Sequence, residues 1–204
     1  MTELGSNTLS ELLSGGIFNL FLIMARVGVA FIFLPGFGDS YVSAQKRFLL
    51  SIAISFVLLP ALWKILPPIP ANIADLLALY GMEVIYGLFI GILARLMLLA
   101  LDLAGFVIAS NSGLSAATSF NPQMSSAGPI VTNLLTMSAI LIIFVTNTHH
   151  AIIEALVSSY TVLKPGGFLP TEDLATTVIN IVSHSFLLGF QLAAPFIILG
   201  LVFN

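Results

Sequence analysis

Glu83, Arg95 and Asp102 stand in an otherwise apolar stretch, where a charge at the centre of a bilayer costs about 2.5 to 3.5 kcal/mol on insertion scales. Charges held against that cost need partners. Arg95 and Asp102 are seven residues apart, which at about 100° per residue leaves them nearly on one helical face, so one partner helix can meet both. Two chemistries fit such a set. One is an ion pair that fixes packing or assembly; the other is a proton or ion relay, which needs carboxylates along a wet path. No series of acids continues the relay.

Gly36, Phe37, Gly38 and Asp39 spell a Gly-x-Gly-Asp string. Intramembrane aspartyl proteases use such a string and need a second, opposed carboxylate, so that one acid is protonated while the other is ionised. Here Asp39 opens a polar connection, and the distant candidate partner, Asp102, has no companion motif. His149, His150 and Glu154 offer nitrogen and oxygen ligands about one turn apart, but two or three ligands do not close a metal site, and a polar helix end at an interface explains them as well. No phosphate loop and no Ser, His and Asp arrangement with an elbow is present. The reading is of a non-enzyme with no metal and no cofactor.

The elements around these residues belong to a membrane. Of 204 residues 58% are hydrophobic and 7% charged, with a mean hydropathy of +1.11, against roughly 25% charge in a soluble domain. Spans of about 20 apolar residues would number about five or six in this length. The net charge of -3 comes from scattered single residues, which gives no basic stripe for nucleic acid. The absence of cysteine excludes disulfides and thiolate chemistry. No Lys or Arg precedes Arg26, so the first span lacks the positive flank of a cleavable signal and is read as retained.

The expected organisation is a single all-α domain over 1–204, a polytopic helical membrane protein with long, broken and kinked helices. The first span covers about Leu12 to Leu34, interrupted by Arg26, and the second covers Phe48 to about Leu66, with Pro60 inside and Trp63 and Lys64 at an interface. Lys46 and Arg47 favour a cytoplasmic first connection and an outside N-terminus. A third apolar region, Ile73 to about Ala109, is too long for one perpendicular helix, so it must tilt, break or extend beyond the membrane. Ile130 to about Val145 and Ala151 to Leu163 follow. A last run begins near Leu174, with a kink expected at Pro195.

Gly87 and Gly91, and then Gly105, Ala109 and Gly113, form small-xxx-small rows that allow close helix packing in lipid. The stretch from Asn111 to Pro129 is rich in Ser, Asn, Gly and Pro and carries no charge. Backbone groups freed at such a break cannot be satisfied by lipid, so the segment must be buried in protein or line a wet pathway. A channel constriction and a transporter-type broken helix are both consistent with that, although the internal repeat of a small-solute secondary transporter is not evident.

The order of several marks resembles the FliR family, a component of the flagellar type III secretion export gate that includes SpaR and SctT of virulence systems. The marks are Arg26, Val27 and Gly28; Leu34, Pro35, Gly36 and Phe37; Lys46 and Arg47 leading into a span with Pro60; Gly105, Gly113, Leu114, Ser115, Ala116, Asn121 and Pro122; Asn147, His149 and His150; and Ser159, Tyr160, Pro165 and Gly166. The resemblance implies a multi-pass subunit of the bacterial inner membrane at the flagellar basal body. Its implied partners are FliP-like and FliQ-like subunits, the rest of the export apparatus, membrane lipid, and the unfolded flagellar proteins that pass through the pore. A central plug loop maps by resemblance onto about Ser110 to Gly128, with Ser110, Asn111, Ser112, Gly113, Leu114, Ser115, Ala116, Phe120, Asn121 and Pro122 as its residues. Arg26, Glu83, Arg95 and Asp102 become buried assembly charges. The family shows an acid where this chain has Asn121, and it continues past Asn204, so a C-terminally truncated chain is expected.

Overall fold

In the computed structural model, residues 2–112, 130–167 and 171–203 are described, and all of their regular structure is helical. The helices are α1 (Thr2–Phe33), α2 (Ala44–Leu62), α3 (Ile73–Asn111), α4 (Ile130–Val145), α5 (Thr148–Val162) and α6 (Thr171–Phe203). Among the described residues four helices, α1, α2, α3 and α6, are long and apolar enough to cross a membrane, and α4 with α5 forms one broken pair. The chain is an all-α polytopic membrane protein.

The third apolar region does not break. α3 is continuous for 39 residues, about 58 Å at 1.5 Å per residue and roughly twice a hydrocarbon core. Its sequence holds no proline, and three of its glycines, Gly87, Gly91 and Gly105, lie against neighbouring helices. α2 begins at Ala44, four residues before the expected start, and carries Pro60 in its last turn. The prolines that follow end it, as a ring without an N–H must. Between α4 and α5, Asn147 takes φ 58, a left-handed conformation that asparagine tolerates better than most residues.

The chain divides into two compact units. The first holds residues 1–92 and 150–169. In it α1 is the central element: Leu22, Ile23, Val27, Ala30 and Phe31 have no exposure at all. α2 runs antiparallel to α1, with Ser51 beside Gly28 and Trp63 beside Gly16. The early part of α3 runs parallel to α1, since the contacts advance together: Phe18 with Tyr80, Arg26 with Gly87 and Ala30 with Gly91. The buried hydroxyls of Ser51 and Ser55 donate to carbonyls of their own helix, so neither needs an external partner.

The second unit holds residues 93–149 and 170–204. Here α4 lies antiparallel to the later part of α3, with Thr132 against Gly105 and Thr136 against Asp102. α6 lies parallel to it in constant register. Ser185 donates to the Leu96 carbonyl at a sequence separation of 89, and Gly189 against Ala100 and Gly200 against Asn111 repeat that separation. Much of α6 is apolar and exposed, including Phe186, Leu187, Phe190, Phe196 and Leu201. Such a surface is stable only in lipid or against other protein.

Candidate functional site

Within the first unit, the arginine that interrupts α1 is enclosed. Arg26 and Glu83 each have zero exposure, so both charges have left water, and only a full set of partners makes that tolerable. Arg26 Nε donates to Glu83 Oε2 at 2.7 Å and Nη2 donates to Oε1 at 3.0 Å, the two-pronged geometry that a planar guanidinium offers a carboxylate. Nη2 also donates to the Leu163 carbonyl at 2.8 Å, and Nη1 to Ser159 Oγ at 3.1 Å. The Ser159 hydroxyl in turn donates a hydrogen bond to the Leu156 carbonyl at 2.6 Å. The guanidinium faces the rings of Tyr160 and Tyr86, whose centroids lie 3.9 and 4.8 Å away. Four of its five N–H groups are thus used, and two aromatic faces cover the cation.

The sequence positions each wall. Gly87 follows Glu83 by one turn on the same face, and a Cβ there would overlap the Arg26 carbonyl oxygen and stand 3.1 Å from Arg26 Cα. Gly91 repeats the contact one turn on, where a Cβ would lie 2.8 Å from Phe33 Cβ and 2.9 Å from the Ala30 carbonyl. The glycine row brings the two backbones together, and so a short carboxylate side chain reaches an arginine 57 residues away in sequence. The third wall comes from α5 and its exit. Tyr86 donates from its hydroxyl to the Gly167 carbonyl at 3.1 Å, which holds the turn after α5 where Leu163 presents its carbonyl. Gly166 in that turn has φ 72, a conformation that glycine adopts without strain.

The four charged positions expected to be buried therefore separate. Arg26 and Glu83 pair with each other. Asp102, in the second unit, is half-buried and accepts from Thr136 Oγ1 at 3.1 Å, so α4 supplies its partner. Arg95 is exposed on the single chain, so nothing within this chain encloses it. Gly105 lies against the backbone of Thr132, and Ala109 is buried.

Of the plug-loop residues, Ser110, Asn111 and Ser112 are described, all three exposed. Each side chain turns back to the carbonyl four residues earlier, at 2.8, 2.8 and 2.7 Å, so the polar end of α3 partly satisfies itself. Gly113, Leu114, Ser115, Ala116, Phe120, Asn121 and Pro122 lie outside the described residues.

The Gly-x-Gly-Asp string is a turn. Asp39 Oδ2 accepts from the Gly36 N–H at 2.9 Å and from the Tyr41 hydroxyl at 3.0 Å. A Cβ on Gly38 would overlap the Ile32 carbonyl, and Gly36 has φ 80. In the second unit His149 stacks on Phe144, with centroids 5.0 Å apart.

A buried ion pair held by two elements besides its own helix, inside a helical membrane unit, is a structural charge site. The family model described as bacterial export proteins, family 1, matches residues 17–204. Flagellar biosynthetic protein FliR of Caulobacter vibrioides is 36% identical over 183 residues, covering 90% of this chain and 73% of that protein. FliR of Bacillus subtilis is 24% identical over 177 residues, covering 85% and 68%. Yop proteins translocation protein T of Yersinia pestis is 32% identical over 134 residues, covering 65% and 51%. The chain belongs to bacterial export proteins, family 1, and is a membrane component of a bacterial protein-export apparatus.

Proposed function

We propose that this chain is a subunit of the flagellar type III export gate in the bacterial inner membrane, assembling with FliP-like and FliQ-like subunits around a path for unfolded flagellar proteins. The observation that carries the reading is the match to FliR of Caulobacter vibrioides along 90% of the chain. The Yop translocation protein T match covers 65%, which supports a virulence export gate as the second reading and ranks it below the flagellar one. In this reading the segment 110–122 is the plug of the gate. A chargeless segment rich in Ser, Asn and Ala suits a closure that must part for many different sequences without binding any of them tightly. Arg95 and the exposed apolar face of α6 are contacts for neighbouring subunits, and Asp102 with Thr136 sets α4 against α3 beside them.

Deleting 111–128 in cells that carry the remaining apparatus tests the plug. Leak of small solutes through the assembled gate should rise, with flagellar subunits still secreted. Unchanged leak in a gate that still assembles would remove the plug assignment.

A further inference from the structure

A groove between α1 and α2 of the first unit is not accounted for by the export reading. It encloses about 470 Å³ and is lined by Met24, Ala25, Gly28, Val29 and Ile32 of α1, by Phe48 and Ser51 of α2, and by Arg47. The α1 side runs from Met24 to Ile32, about 12 Å of helix, and its five lining residues are all apolar. The Ser51 hydroxyl is already committed to the Phe48 carbonyl, so it asks nothing of an occupant.

Arg47 breaks the apolar lining. Its Nη2 holds the carbonyls of Asp39 and Val42 at 3.3 and 3.2 Å, which anchors the guanidinium over the connection that precedes α2. Its Nε is buried and has no acceptor. Lys46 is exposed beside it, and the first turn of α2 contains no acid. The nearby carboxylate of Asp39 is held by Gly36 and Tyr41. An apolar slot therefore ends at two positive charges, with one donor lacking an acceptor, where a polar connection enters a membrane span.

We infer that this groove binds an anionic phospholipid, with an acyl chain lying along α1 from Ile32 towards Met24 and the phosphate on Arg47 and Lys46. The charge sequence is that of the lipid: a long apolar body joined to one anion. A helix of a partner subunit also matches the slot, but its main-chain carbonyls are used within the helix, and an uncharged polar side chain on it would leave both cations without a counter-charge. Basic residues at a membrane surface contribute about 1 kcal/mol each towards anionic lipid, roughly fivefold in affinity.

The test is native mass spectrometry of the full chain, purified in neutral detergent and titrated with phosphatidylglycerol or with phosphatidylethanolamine of the same acyl chains. Phosphatidylglycerol should bind roughly twenty-five-fold tighter, the product of two such fivefold factors. Lys46→Gln, at an exposed side chain, should lower that affinity roughly fivefold; Arg47→Gln should lower it at least as much, and the double change should abolish the preference. Gly28→Leu fills the slot, where a Cβ already meets Ser51 Oγ at 3.7 Å, and should weaken both lipids. The same change at Gly81, which has open space around it, should weaken neither. Equal binding of the two lipids, or binding indifferent to Lys46→Gln and Gly28→Leu alike, overturns the inference. So does a photo-crosslinker attached at Val29→Cys, the sole cysteine then present, that captures protein and no lipid in the assembled complex.

Discussion

Gly87 lies against the backbone of Arg26 so closely that a Cβ would overlap the Arg26 carbonyl oxygen. That contact sets the distance between α1 and α3, and with it the reach of Glu83 to the guanidinium. Gly87→Ala should therefore destabilise the chain by about 1 to 3 kcal/mol, the usual cost of overpacking. Gly81→Ala, on the same helix with nothing near it, should be neutral or stabilising by up to about 1 kcal/mol. Thermal unfolding in detergent separates the two, and equal effects would remove the packing explanation.

Breaking the ion pair from one side should be costly. Glu83→Leu leaves a buried cation and Arg26→Met leaves a buried carboxylate, each expected to lose about 3 to 5 kcal/mol. The double variant removes both charges and should recover a large part of that loss. A double-mutant cycle on denaturation midpoints checks this, and strict additivity would mean that the two side chains are not coupled. Arg26→Lys should behave as a loss as well, since an ammonium gives neither the two-pronged bond nor the stacked plane.

Tyr160 acts through its ring. It is fully buried, and its hydroxyl has no hydrogen-bond partner, so Tyr160→Phe should be neutral or slightly stabilising, while Tyr160→Leu should lose the cation contact, about 0.5 to 2 kcal/mol. Measured stabilities in the reverse order would contradict the placement of the cation over the ring.

Asp39 should be dispensable for any chemistry. Asp39→Asn keeps one acceptor for the Gly36 N–H and should leave motility on soft agar close to the parent, whereas Gly38→Val, which meets the Ile32 carbonyl, should abolish it by disrupting the turn. Loss of motility with Asp39→Asn in a chain that remains stable in the membrane would reopen the proteolytic reading of that string.

The class of fold was legible in the sequence because hydropathy alone demands helices in lipid, and the span at Ile130 to Val145 was legible to its ends. The continuity of α3 was not. Apolar content reports only where helix is permitted, and the absence of proline between Ile73 and Asn111 was the clue that no break follows. The need of Glu83 for a partner was readable, but not that the partner is Arg26, since no period in a sequence connects positions 57 apart. Tyr160 and Ser159 carried no chemical signal of their own. Arg95 and Glu83 look alike in sequence, yet one is exposed and the other enclosed, because the glycine row brings α1 onto α3 at Glu83.

The account rests on this chain being one member of a helical assembly, and gentle-detergent copurification of the tagged chain from its own membranes tests that most directly. Two further small hydrophobic subunits should elute with it in fixed proportion, and Arg26→Met should reduce their recovery. A stable, monodisperse chain that elutes alone and moves a small solute across vesicles unaided would contradict it.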